Sequence, residues 1–154
     1  MIALLILVAR VLLSPALGSD LGAAAAGRPD LAPEVRQICR RESWGCRRIG
    51  VHEGHVERKA EEVFVVAARR TGVVEGCPEV AAREWGPRGP HGHVPAHALK
   101  HLPRCSPPWV LDLPVVSGYV AARRLEVLER RYKLTTPRAR GHAWRHGVAC
   151  TCGG

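Results

Sequence analysis

Aromatic residues are scarce in this sequence. They make up 5% of its 154 residues, with one Phe and one Met. We find no aromatic sheet signature, no Cys2His2 zinc-finger spacing and no basic region followed by heptads, so the common nucleic-acid recognition modules are excluded. Alanine, arginine, glycine and proline are abundant instead. A GC-rich gene or a spurious reading frame would give this bias, but periodic apolar faces and ordered motifs favour a genuine protein.

Acidic residues are also few, with 14 Asp and Glu against 23 Lys and Arg, which gives a net charge of +9. A basic protein of this kind is attracted to polyanions. An anionic bacterial envelope and nucleic acid are both candidate partners, and the charge could also serve solubility alone. The length fits one domain with a single core.

The N-terminal residues 1–18 form an apolar run that ends in small residues, which predicts a cleaved secretory signal peptide. An uncleaved membrane anchor is one alternative, although Arg10 and Pro15 interrupt the run, and a buried N-terminal helix is another. Residues 19–29 contain four consecutive alanines and flanking glycines, and we interpret them as a linker.

A helix is predicted after this linker, with Asp30 as its N-cap and Glu34 in its first turn. Glu42 falls on the apolar face of this helix, which is formed by Leu31, Val35, Ile38 and Cys39. Desolvation there would raise the pKa of the carboxyl group, as a general acid requires. The alternative is an ordinary helix-end residue that reaches solvent or pairs with a neighbouring arginine.

Further apolar periodicity predicts helices over residues 56–71, 94–102 and 114–132. A long connection rich in glycine and proline separates the first two of these. The fold class is therefore all-α, with one domain over residues 30–133. The basic tail, residues 134–154, is expected to be poorly ordered unless its cysteines hold it.

The cysteines are even in number, which together with an export signal predicts up to three disulfides among Cys39, Cys46, Cys77, Cys105, Cys150 and Cys152. Fifteen pairings are open. We expect Cys39 to pair with Cys46 and Cys77 with Cys105, while the last two seek distant partners. There is no Cys-x-x-Cys pair, and the His52 and His55 spacing matches no standard metal site, so no metal is predicted.

Three motifs occur in a characteristic order. Glu42-Ser43-Trp44-Gly45 fits a Glu-Ser-x-Gly signature, Gly89 to Pro95 is similar to a Gly-Ala-x-Gly-Leu-Met-Gln loop, and Val115 to Arg124 is similar to a helix that reads Asn-x-x-x-Gly-x-x-Tyr-Leu. This chain thus resembles the lytic transglycosylases, lysozyme-like enzymes that cleave peptidoglycan. The resemblance covers residues 31 to about 128.

The resemblance implies a lysozyme-like fold in which Glu42 is the catalytic acid and then the base, without a cofactor. Candidate substrate-binding residues are Ser43, Gly89, Gly92 and Tyr119. The expected ligand is a peptidoglycan strand. We expect the protein to be a monomer that is secreted, periplasmic or phage-associated. The resemblance implies catalysis by one carboxylate, with assistance from the substrate's acetamido group. A second catalytic carboxylate is therefore not needed. Glu84, the only acid near the glycine loop, is interpreted as a surface residue.

Departures from the family pattern motivate an alternative function. His93, Val94 and Pro95 stand where the family has Leu-Met-Gln, and residues 114–117 offer no amide side chain. The alternative is a non-catalytic exported protein on the same scaffold that binds a glycan or an anionic envelope polymer. A basic nucleic-acid binder ranks third and would show a steep salt dependence.

Overall fold

The computed structural model describes residues 6, 8, 9, 13–47, 66–77 and 87–148. Five α-helices are defined within these ranges: α1 (Pro15–Ala25), α2 (Ala32–Glu42), α3 (Pro95–Ala98), α4 (Pro114–Tyr132) and α5 (Pro137–His146). In this described part there is no strand, and the only β-pairing is an isolated bridge between Arg88 and His93. The all-α prediction is confirmed.

Helix α1 packs on α4 through small residues. Gly18 and Gly22 are so close to α4 that a Cβ on Gly22 would overlap the backbone of Gly118 and Tyr119. Small residues allow two helix backbones to approach this closely, and Ala23 is fully buried beside them. The linker interpretation of residues 19–29 was therefore wrong for residues 19–25, because the lack of large side chains is what permits close packing.

Helix α1 also continues through the junction between Gly18 and Ser19, where the sequence suggested signal cleavage. Ser14 caps the helix by accepting a hydrogen bond from the Leu17 backbone nitrogen at 3.4 Å, and Pro15 occupies the first turn. Pro15 and Gly18 are buried, so cleavage at this junction would remove part of the core.

Helix α2 begins later than predicted. A 3-10 turn, Pro29–Leu31, precedes it, and Leu31 takes the N-cap position. Asp30 is not the N-cap, because its carboxylate accepts a hydrogen bond from Arg28 at 2.6 Å instead. The apolar face is as predicted: Leu31, Val35 and Ile38 are buried against Ala121, Ala122 and Leu125 of α4.

A second cluster surrounds α3 and joins it to α4 through Leu99, Leu111 and Val120. The helix predicted over residues 94–102 is confirmed as α3 followed by a 3-10 turn, Leu99–His101. Helix α4 matches the prediction for residues 114–132. Of the helix predicted over residues 56–71, residues 66–70 are helical, Thr71 is in a turn, and residues 56–65 lie outside the described residues.

Residues Pro137–His146 of the predicted tail form a docked helix, and residues 149–154 lie outside the described residues. Thr136 caps α5 by accepting a hydrogen bond from the Ala139 nitrogen at 3.2 Å. Arg140 is 5% exposed, forms a bidentate ion pair with Glu34 of α2 and donates to the Thr135 carbonyl at 2.9 Å. The predicted domain boundaries, 30 and 133, were too narrow, because α1 and α5 both pack on the core.

Two disulfides are present, Cys39–Cys46 and Cys77–Cys105, and both pairings were predicted. Cys150 and Cys152 lie outside the described residues. The two bridges are typical of an extracellular or otherwise oxidising environment. Within the described ranges, no helix combines the length and the apolar character that a membrane crossing needs.

Candidate anion-binding site

The structure brings Glu42 and the glycine loop together. Glu42 is the half-buried last residue of α2. The loop turns between Arg88 and His93, whose backbones exchange two hydrogen bonds of 2.8 Å, and Gly92 within it has φ of 59°. A Cβ on Gly92 would lie 3.0 Å from Glu42 Oε2 and 3.2 Å from its Cγ. Glycine is required here both for the positive φ and for the contact with Glu42.

Gly89, the other candidate glycine, faces a different part of the protein. A Cβ at this position would overlap the Leu111 carbonyl group and lie 3.1 Å from Ser117 Oγ. Gly89 therefore allows the loop to pack closely on the core, and its contacts point away from Glu42.

Ser43 and Tyr119 do not take the substrate-binding positions that the resemblance implied. Ser43 is 0% exposed, and its hydroxyl donates to the Cys39 carbonyl oxygen at 2.8 Å. The hydroxyl thus stabilises the end of α2 and is inaccessible to a ligand, so the prediction for Ser43 was wrong. Tyr119 is half-buried and packs on the cluster around α3, whereas the helix of Glu42 belongs to the other cluster.

Two buried histidines connect the loop to α1 and α4. His91 and His93 are both 0% exposed. The Ser19 hydroxyl donates to the Pro15 carbonyl at 2.8 Å, so His91 Nε2–H must donate to Ser19 Oγ at 2.9 Å, and His91 Nδ1 accepts from the Ser117 hydroxyl at 2.8 Å. Each side-chain nitrogen or oxygen in this series of hydrogen bonds has a partner, so burying these groups does not leave a polar atom unsatisfied.

His93 is also a neutral Nε2–H tautomer. Its Nε2 donates to the Ser117 carbonyl at 2.8 Å, and its Nδ1 accepts from Arg124 Nη1 at 3.3 Å. Burial lowers the pKa of His91 to about 3. Burial, followed by the charge of Arg124, lowers the pKa of His93 well below its usual value. Neither ring carries a charge at neutral pH.

Arg124 is the centre of the site. Its guanidinium carbon lies 4.0 Å from the centroid of the Trp144 ring, so a cation–π contact and the bond to His93 hold it in place. Burial lowers the pKa of Arg124 to about 10, and the Glu42 carboxylate opposes that shift. Arg124 therefore stays charged at neutral pH, and its charge favours the ionised form of Glu42.

A pocket of about 300 Å³ opens beside Arg124, and we call it the Arg124 pocket. Its basic side chains are His97, Lys100, His101, Arg124 and Arg131. Burial lowers the pKa of His97, and it lowers the pKa of His101 to about 4, so the charge at neutral pH comes from the lysine and the two arginines. None of the described residues that line the pocket is a carboxylate, and Glu42 is not among them.

The remaining wall of the Arg124 pocket is apolar and aromatic. Val127 and Leu128 of α4 form its floor, and Tyr132 and Trp144 add ring faces. Such a wall suits the carbon skeleton of an anionic ligand, while the cations suit its acidic groups. Among the residues that the structure describes, no three His, Cys, Asp or Glu side chains lie close enough together to hold a metal ion.

Sequence reasoning missed this pocket. Arg124, Val127, Leu128 and Arg131 stand at i, i+3, i+4 and i+7, so they share one stripe of α4. Arginines within an apolar stripe were the available signal. Trp144 could not be found, because the segment that carries it was expected to be poorly ordered.

No protein family, curated protein or solved structure matches this chain. The lytic transglycosylase resemblance therefore depends on the three motifs alone.

Proposed function

We propose that this protein is a non-catalytic, exported binding protein that holds an anionic glycan or another anionic polymer of the cell envelope in the Arg124 pocket. The observation that carries the proposal is the concentration of Lys100, Arg124 and Arg131 around one cavity without a carboxylate among its described lining residues. The net charge of +9 adds long-range attraction for the same class of ligand.

The geometry of Arg124 supports binding because the guanidinium is already immobilised. Trp144 and His93 fix it before a ligand arrives, so little side-chain entropy is lost on binding. A hydrogen bond from such a cation to an anionic oxygen contributes about 1.5–3 kcal/mol. Lys100 and Arg131 are exposed and can adjust to the ligand.

Binding ranks above catalysis because of the surroundings of Glu42. Glu42, the proposed general acid, is not among the described residues that line the Arg124 pocket, whereas Lys100, Arg124 and Arg131 are. Export to the periplasm or the exterior is part of the proposal, supported by the two disulfides, and the protein is proposed to act as a monomer.

The test is calorimetric titration of the full chain with poly(glycerol phosphate), an envelope-type polyanion, and with a neutral chitooligosaccharide. Lys100→Gln combined with Arg131→Gln should weaken polyanion binding at least about tenfold, because two charge-assisted contacts are lost. The matched control is Arg69→Gln with Arg70→Gln, which removes the same charge from exposed helical positions. Equal weakening by both pairs, or no binding to the unaltered chain, would refute the proposal.

A second candidate function, cleavage of peptidoglycan by Glu42, is favoured by the contact between Glu42 and Gly92. In this mechanism Glu42 protonates the glycosidic oxygen and then accepts a proton from the muramoyl 6-hydroxyl. The measurement is release of soluble muropeptides from purified peptidoglycan, with mass analysis for anhydromuramoyl ends. Release should vanish in Glu42→Gln and persist in Glu75→Gln, an exposed control. Activity retained in Glu42→Gln would reject this candidate.

A further inference from the structure

A second basic cavity lies on the opposite side of α5. It is a groove of about 390 Å³ between α2 and α5, lined by Gln37 and Arg41 of α2 and by Arg138, His142, Arg145 and His146 of α5, and we call it the α5 groove. No part of the lysozyme-like interpretation uses these residues.

The spacing on α5 directs three of these side chains to one face. Arg138, His142 and Arg145 stand at i, i+4 and i+7. Gly141 lies between them, and a Cβ there would be 3.7 Å from both terminal nitrogens of Arg41. The Arg41 guanidinium therefore lies over α5 and adds its charge to the same face.

The charge of the α5 groove is uncompensated within the described chain. Arg41, Arg138 and Arg145 form no ion pair with a described residue, and no carboxylate is among the described groove residues. Glu34 of α2 is paired with Arg140. Three exposed, unpaired arginines on one groove repel each other, so a bound anion would relieve that repulsion.

The α5 groove and the Arg124 pocket are lined by consecutive residues at the end of α5. His146, the last residue of the helix, lines the groove, and Gly147, the next residue, lines the pocket. The two cavities lie on opposite faces of a helix about 10 Å wide. A flexible chain can therefore pass from one to the other around this end of the helix.

We propose that the Arg124 pocket and the α5 groove form one continuous binding track for a linear polymer with repeating phosphate groups. This inference rests on the proposed function, because it takes the pocket as the first of two anion sites. Binding at two linked sites raises the overall affinity for a long chain well above that for a short one. The oxidising environment indicated by the disulfides favours an envelope phosphodiester polymer over nucleic acid.

The experiment compares tripolyphosphate with long-chain polyphosphate on the full chain, at equal phosphate concentration. The unaltered protein should bind the long chain roughly 100-fold more tightly. Arg138→Gln with Arg145→Gln should remove most of that gain, and tripolyphosphate should still bind in the Arg124 pocket in a manner that depends on Lys100 and Arg131. Lys100→Gln with Arg131→Gln should weaken both probes. Arg69→Gln with Arg70→Gln is the charge-matched control, and circular dichroism checks that each variant is folded.

The outcomes separate the two proposals. Tripolyphosphate binding that does not depend on Lys100 and Arg131 would overturn the proposed function. If that dependence holds but the groove variant binds the long chain as the control does, the continuous track is overturned and the pocket survives. Duplex DNA that binds as tightly as polyphosphate, with the same dependence on both sites, would overturn the choice of an envelope polymer.

Discussion

Replacing Gly22 by alanine should destabilise this protein, although alanine is the better helix former. A Cβ at this position would lie 2.7 Å from Gly118 Cα and would overlap the backbone nitrogen of Tyr119. Carbon atoms prefer separations of about 3.5–4.0 Å, so α1 would have to retreat from α4 by about 1 Å. Both obstacles are backbone atoms, and neither can rotate away.

The expected change in the free energy of unfolding is the balance of two opposing contributions. Alanine gains about 1 kcal/mol over glycine in a helix interior. Overpacking of a close contact costs about 1–3 kcal/mol and occasionally more, and here the whole helix contact must open, so the upper end applies. Gly22→Ala should therefore lower the free energy of unfolding by about 2 kcal/mol.

Gly141→Ala in α5 is the matched control. A Cβ there meets Arg41 at an ordinary 3.7 Å, so only the helix propensity changes and the protein should become about 1 kcal/mol more stable. Urea unfolding followed by circular dichroism measures both. If Gly22→Ala stabilises the protein as Gly141→Ala does, then α1 is not packed on α4 and the linker interpretation stands.

Three further predictions concern stability, each measured by urea unfolding. The folded His91 and His93 stay neutral while the unfolded ones take up a proton below pH ~6.5, so each should lower stability by up to about 1.4 kcal/mol per pH unit from pH 6.5 toward 5, and His91→Gln should remove its own share of that slope. An unchanged stability between pH 7 and 5 would contradict this. Removing the Cys77–Cys105 disulfide, with its sequence separation of 28, should cost about 3.6 kcal/mol, against about 2.4 for the shorter loop; a larger loss from the shorter loop would contradict the entropic argument. Arg140→Gln should cost about 2–3 kcal/mol because it leaves the half-buried Glu34 carboxylate without its ion-pair partner, and a loss below about 1 would mean that α5 docks without it.

The helices with regular apolar spacing were predictable from the sequence. Residues 114–132 have a wide apolar arc, and α4 begins and ends where this arc does. The face of α2 was equally clear, because Val35 and Ile38 repeat at the helical period and are buried. Both disulfides were also anticipated, since each joins cysteines on either side of a predicted turn or loop.

What could not be predicted shares one cause, which is burial by partners distant in sequence. The segment around Gly22 has little apolar surface of its own, and only the complementary Gly118 of α4 makes it a core element. Arg140 appears in the sequence as one more basic residue of a tail, yet its partner Glu34 lies 106 residues away. Local periodicity carries no information about such pairs.

Contacts between residues distant in sequence also explain why the candidate site was only partly predictable. The structure places Gly92 against Glu42, whereas the sequence analysis named Gly92 only as a candidate substrate-binding residue. Arg124 was regarded only as the end of a motif helix. Its contacts with Trp144 and His93 join residues from separate parts of the sequence, and the motifs carry no information about them.

The buried histidines connect the core to the Arg124 pocket. His91 joins α1 to α4 through its two ring nitrogens, and His93, two residues along the same loop, holds Arg124 through its own Nδ1. Both rings bind Ser117, one through its hydroxyl and one through its carbonyl. A shift of α1 must therefore move the loop, and the loop must move Arg124. The arginine that the proposed ligand would contact is positioned by the same hydrogen bonds that close the core, so its charge is held in a fixed place.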